Sequence, residues 1–335
     1  MNDRIKYPLA TVICLSILCF AAASGQYPLS LAQQGQALWH AIGGDVAALD
    51  SKSISVFWHL RLPRILAALM IGAGLAASGA AYQGMFRNPL VSPDILGVSA
   101  GAGLGAVLGI YLDLSVYNIQ LFAFLGGLLV VALVCLLARL SRQGDPVLSL
   151  VLVGIAIGAL CGAGISLMKL LADPYSQLPS ITFWLMGGLS DITLEDLKSS
   201  LLPMILGLVP LMLLRWRMNL LSLADDEASS LGLNIAKTRL IFILAATLLT
   251  AAAVSIAGII GWLGLVVPHI ARMLVGADFR RLLPMSMLLG AFMLLLTDTL
   301  ARTLAPIELP LGILTACIGA PFFMFLLLRG GGRGQ

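Results

Sequence analysis

Asp298 and Arg302 stand four residues apart in an otherwise apolar run, the spacing at which an acid and a base meet on one helix face. Ionisable groups at such depth are costly and tend to mark relays or gates. A proton relay needs further intramembrane partners, and the other apolar runs lack them, so a self-neutralised pair that steadies its helix is the favoured reading. His269 follows Pro268, but no second His, Cys or carboxylate stands at metal-ligand spacing, and it reads as structural. His40 and His59 fall in or beside a polar stretch and read as solvated. Cys14, Cys19, Cys135, Cys161 and Cys317 lie inside apolar runs without paired spacing, which is neither a disulfide framework nor a zinc site. No GxSxG, HExxH or Walker pattern occurs, and no lysine follows a glycine. The chain thus holds no P-loop of its own and no nucleophile, base and metal set for an intramembrane enzyme. No catalytic residue, metal or cofactor is expected.

The elements that must carry these residues are membrane spans. The 335 residues are 59% hydrophobic and 11% charged, with a mean hydropathy of +1.00, against about 25% charged in soluble domains. The net charge of +4 is scattered, with no Lys/Arg block, so nucleic acid is not expected as a partner. A spanning helix needs about 20 apolar residues. Apolar runs fall at 8–24, 62–86, 95–112, 119–140, 147–171, 199–214, 240–260, 264–275, 282–304 and 309–328. The eighth is too short to cross alone, and Gly258, Gly261 and Gly264 beside it could turn the chain.

The distribution of cations decides the count. Ten spans with a cytoplasmic N-terminus put Arg4, Lys6, Arg87, Arg139, Arg142, Arg215, Arg217, Lys237, Arg239, Arg272, Arg280, Arg281, Arg329 and Arg333 inside, 14 of the 20 basic residues. Nine spans leave 9 inside and 11 outside. Ten is therefore expected, with both termini cytoplasmic. Arg4, Lys6, an apolar core and "AAASG" also fit a cleavable leader, whose loss would leave the downstream topology unchanged. Small residues recur every fourth position at Gly97–Gly101–Gly105–Gly109, Gly154–Gly158–Gly162 and Gly72–Ala76–Ala80–Gly84, ridges that let spans pack closely.

Two features remain. The basic loop of about 215–239 contains Ser222 and Asp225 at capping-box spacing, then Asp226 and Glu227, which suit a helix N-terminus, and Gly232, which suits its stop. A short helix exposing Ala228 and Leu231 is expected there. Coupling carboxylates near the midplane are missing, which argues against an ion-coupled secondary transporter and points to energy from another subunit. On the outer side, Arg61 and Arg64 lie about one helical turn apart, a patch able to grip carboxylates.

The strings "LRLPRILAALMIGAGLAASGAAYQGMFRNPLVSPDILGVSAGAGLG", "DDEASSLGL", "GLVVPHIARMLVGADFRRLLP", "DTLAR" and "ELPLGILTACIGAPFFMFLLLR" resemble permease subunits of the iron-siderophore and vitamin B12 class of ABC importers. The resemblance runs from about 55 to 329. It implies an all-α polytopic membrane protein, about ten transmembrane helices per subunit in the type II ABC-importer permease architecture, forming one transmembrane domain over 1–335. It further implies a homodimer in the cytoplasmic (inner) membrane lipid, two ABC ATPase subunits on the cytoplasmic face and an extracytoplasmic substrate-binding protein. By motif, Asp226, Glu227, Ala228, Ser229, Leu231, Gly232 and Leu233 correspond to the ATPase-coupling loop. Asn88 and Leu90 correspond to a cytoplasmic gate, and Val147 and Leu148 to its other side, though this chain is apolar where the B12 permeases carry small hydroxyl residues. Arg61, Arg64 and Arg302 correspond to cations that dock the binding protein, which leaves Arg302 with two candidate partners. A ferric siderophore is the expected cargo; vitamin B12, haem or an oxyanion such as molybdate are the alternatives.

Overall fold

The computed structural model describes residues 3–25, 27, 29–41, 51–141 and 145–330. Arg142 and Arg333 of the charge count lie outside them, as do the side chains of Arg4, Lys6, His40 and Arg329. All regular elements among the described residues are helical: α1 (Asp3–Ala23), α2 (Leu31–Ala41), α3 (Ser51–Val56), α4 (Leu62–Met85), α5 (Val98–Tyr111), α6 (Val116–Leu140), α7 (Pro146–Leu171), α8 (Gln177–Met186), α9 (Leu194–Leu221), α10 (Asp225–Ser230), α11 (Ile235–Ala257), α12 (Leu263–Val275), α13 (Phe279–Thr303) and α14 (Leu311–Gly330). A π-helical turn, Phe57–Arg61, joins α3 to α4, and a 3₁₀ turn, Pro93–Leu96, precedes α5.

Helix starts follow local chemistry. The Asp145 carboxylate accepts from the Val147 amide at 2.8 Å, with Pro146 opening α7, because proline loses nothing at that position. Thr193 and Asp196 form a capping box at α9. Asn234 and Asp278 accept from the Lys237 and Arg280 amides, both at 3.0 Å, to open α11 and α13. The capping box explains why α9 begins at 194, five residues before its apolar stretch at 199–214. α2, α3 and α8 carry too little apolar length to stand out as spans.

Among the described residues, six helical stretches are long and apolar enough to cross a membrane: Lys52–Met85, α6, α7, α9, α11 and α13. The other four apolar runs are also helical, in α1, α5, α12 and α14, with α5 and α12 only 14 and 13 residues long. Helices α4, α11 and α13 are mostly enclosed by protein, whereas α6, α7 and α9 leave most of their apolar surface outward. Lipid supplies no hydrophobic force between helices, so contact depends on backbone approach. A Cβ on Gly72 would come within 2.2 Å of the Gly290 carbonyl oxygen, and one on Gly79 within 1.8 Å of the Gly264 carbonyl oxygen. Helix α4 is thereby locked between α13 and α12.

Candidate functional site

The chemistry-bearing residues gather at the two ends of α4, about 35 Å apart at 1.5 Å per residue. At the Arg64 end, Arg64 Nε donates to Asp298 Oδ1 at 2.7 Å and Nη1 donates to Glu308 Oε1 and Oε2 at 3.0 and 2.9 Å. Arg302 Nε stands 3.2 Å from Asp298 Oδ2. Asp298 is fully buried, and two cations neutralise it. The Asp298–Arg302 pair expected from sequence is therefore present, but Arg64 and Glu308 extend it across three segments of the chain.

The three arginines assigned to docking are turned inward rather than forming an open patch: Arg61 is 5% exposed, and Arg64 and Arg302 are 8% each. Arg61 donates to the carbonyls of Ala22 and Tyr27, and Arg302 to those of Ala21 and Ser24, both at 3.2 Å. Gln34 Nε2 adds a bond to the Ala22 carbonyl at 2.9 Å. The reason is physical. The last carbonyls of α1 have no partner within their helix, and cations suit the negative end of its dipole. Arg302 thus holds Asp298 and α1 together.

Glu308, in the loop after α13, also accepts from the Ser190 hydroxyl. Burial pushes its carboxyl up, but the Ser190 hydroxyl and the Arg64 guanidinium outweigh burial and hold it below its ordinary value. Beside it opens a cleft of about 650 Å³ lined by Arg64, Glu308, Ser190, Asp191, Trp184 and Ile119, among others. Glu308 opens the "ELPLG" string, but neither it nor Ser190 is given a role by the sequence.

At the opposite end, α10 forms where expected, with two corrections. Ser222 does not cap it: Ala224 is the N-cap, with no side-chain bond, and the Ser222 hydroxyl donates to the Asn219 carbonyl at 2.8 Å. Asp225 is occupied elsewhere, by Arg87. Nor is Ala228 exposed. It is fully buried and Leu233 nearly so, because a six-residue helix needs an apolar foot on the bundle. Asp226, Glu227, Ser229, Leu231 and Gly232 are exposed. Gly232 ends the helix at φ +81°, its amide bonded to the Ser229 carbonyl at 2.9 Å and the Leu233 amide to the Ala228 carbonyl at 3.2 Å, the left-handed stop that favours glycine.

Asn88 and Leu90, expected at a gate, follow α4 at this same end. The Asn88 carboxamide oxygen accepts from the Leu90 amide at 2.9 Å, and Leu90 and Leu148 are both exposed. Helix α7 packs through Gly154 on the Pro93–Leu96 turn, where a Cβ would come within 2.2 Å of the Ile95 carbonyl oxygen. Val147 is partly buried. His269 is partly buried on α12, and among the described residues no group of His, Cys, Asp or Glu could hold a metal ion. The five cysteines are free thiols.

Comparison with known proteins gives this geometry its family. The family model of the FecCD transport family matches residues 12–329. The molybdate import system permease protein MolB of Haemophilus influenzae is 42% identical over 331 residues, covering 98% of this chain and 97% of that one. The hemin transport system permease protein HmuU of Yersinia pestis is 40% identical over 345 residues, covering 98% of each. An ABC transporter assigned to the metal-chelate type, solved in an inward-facing conformation, superposes with a TM-score of 0.87 at 39% identity, over 98% of this chain and all of that chain. With the family match spanning nearly the whole bundle, from α1 to the end of α14, this chain belongs to the FecCD transport family.

Proposed function

We propose that the chain is the membrane permease of an ATP-driven importer, and that it carries a ferric siderophore from an extracytoplasmic binding protein into the cytoplasm. It is a multi-pass membrane protein and a transport subunit, with ATP hydrolysis left to a partner. The observation that carries this reading is α10. A sequence without a P-loop presents a short acidic helix, seated on Ala228 and Leu233 and exposing Glu227 and Leu231. Such a knob suits a groove on a separate ATPase. Ten spans with both termini cytoplasmic, in the inner membrane, put α10 on the side where ATP is.

In this reading two permeases pair about an axis beside α7, and two ATPases dock on their α10 helices. The binding protein meets the Arg64 end. There the buried arginines act by holding the outer loops in shape, not by reaching into the partner. Asn88 and Leu90, with Val147 and Leu148, narrow the cytoplasmic exit.

A second cargo has a specific observation behind it: the likeness to a molybdate permease runs over 98% of this chain. Proteoliposomes holding the permease, its ATPase and its binding protein separate the two. ATP-dependent uptake of a ferric siderophore with none of molybdate supports the first reading, and the reverse result replaces it with the second. For the coupling assignment, Glu227→Lys and Gly232→Val should each abolish co-purification of the ATPase. Retention by both variants would remove α10 from that role.

A further inference from the structure

We propose that Arg87 is the positioning residue that carries movement of α10 to the cytoplasmic gate. The inference deepens the reading above and rests on it. Arg87 bridges two segments that are 138 positions apart in sequence. Its Nη2 donates to Asp225 Oδ1 at the first turn of α10, and its Nε donates to the Leu221 carbonyl at the end of α9 at 3.0 Å. The next residue is Asn88, whose amide bonds the Gln83 carbonyl at 3.1 Å and whose side chain fixes Leu90. One side chain thus joins the coupling helix to the gate loop with no intervening residue.

Two further observations set this contact apart from an ordinary surface ion pair. Arg87 has φ +50°, a left-handed backbone that a long side chain rarely adopts and that is held only where its surroundings over-determine it. The pair is also partly solvated, with 37% and 48% of the two side chains exposed. Such pairs add little stability, so stability does not account for a strained residue at this point. On its other side Asp225 Oδ2 lies 3.6 Å from Nη2 of Arg239 on α11, whose Nε has no hydrogen-bond partner among the described residues. The Asp225 carboxylate therefore sits between a guanidinium on the gate loop and one on the bundle. Movement of α10 changes how it is shared between them.

The test reads the gate directly, in the assembled permease–ATPase complex. Leu90→Cys, in a background with the five native cysteines replaced by alanine, is labelled from the cytoplasmic side with a membrane-impermeant maleimide. Labelling is measured with and without ATP plus vanadate. With Arg87 intact, nucleotide should change the labelling rate. In Arg87→Gln, and independently in Asp225→Asn, that response should shrink about tenfold, within the usual range of site-to-site coupling, while the ATPase still co-purifies. The charge swap Arg87→Asp with Asp225→Arg should recover part of it. A full nucleotide response in both single variants overturns the proposal. A different result marks failure of the underlying reading: Glu227→Lys keeps the ATPase bound and the intact protein shows no nucleotide response, and the proposal then falls with it.

Discussion

At the scale of single residues, Arg64 shows how a cation at the end of an apolar helix can be committed to the fold. Sequence spacing suggested an exposed pair of arginines; the fold uses Arg64 to neutralise Asp298, which is fully buried. Removing one partner of a buried pair strands the other, whereas replacing both with apolar groups is far milder. Arg64→Met should therefore destabilise the protein by about 3 kcal/mol, read as a lower melting temperature in detergent. Adding Asp298→Leu together with Arg302→Met, so that neither is left without its partner, should recover part of the loss. If Arg64→Met melts like the parent, the network is ornamental and the arginine is free for other partners. Glu308 adds a pH dependence of known sign. Its folded pKa is lowered, so its contribution is present above the ordinary carboxylate pKa and is lost as pH falls through the folded value. Glu308→Gln should remove that acid-side loss.

At the scale of elements, the parts legible in the sequence were those set by local chemistry. The apolar runs became helices, and Gly232 stopped α10 as expected, because a left-handed stop is written in one residue. The seating of α10 was not legible. Asp225 looked like half of a capping box, yet its partner is Arg87, 138 residues away, and spacing cannot report such a pairing. The small-residue ridges were visible, but only the fold shows which are used. Gly79 faces the Gly264 backbone with no room for a methyl group, so Gly79→Ala must force α4 and α12 apart. It should cost about 2 kcal/mol, as overpacking does, while Gly261→Ala, where a Cβ meets nothing within 4 Å, should melt close to the parent. Equal melting of the two variants would show that α4 and α12 can separate freely.

At the scale of the whole molecule, the ridge on α7 separates what this chain completes alone from what it leaves open. Gly154 is packed on the Pro93–Leu96 turn, but a Cβ on Gly158 or Gly162 would meet nothing within 4 Å. A glycine ridge gains its packing only when another backbone approaches it, and lipid chains have no need of one. The ridge therefore suits the proposed second copy of the chain along α7, the helix that carries Leu148. Gly158→Leu with Gly162→Leu tests this on the whole protein. Helix propensity favours leucine over glycine, and a Cβ at either position meets nothing in the subunit within 4 Å, so melting in detergent should hold or rise. The proposed dimer, measured by native mass spectrometry of the detergent-solubilised protein, should give way to monomer, because two leucine side chains would stand where the backbones are proposed to meet. Retention of the dimer would mean that α7 faces lipid at these positions and that the subunits join along another helix.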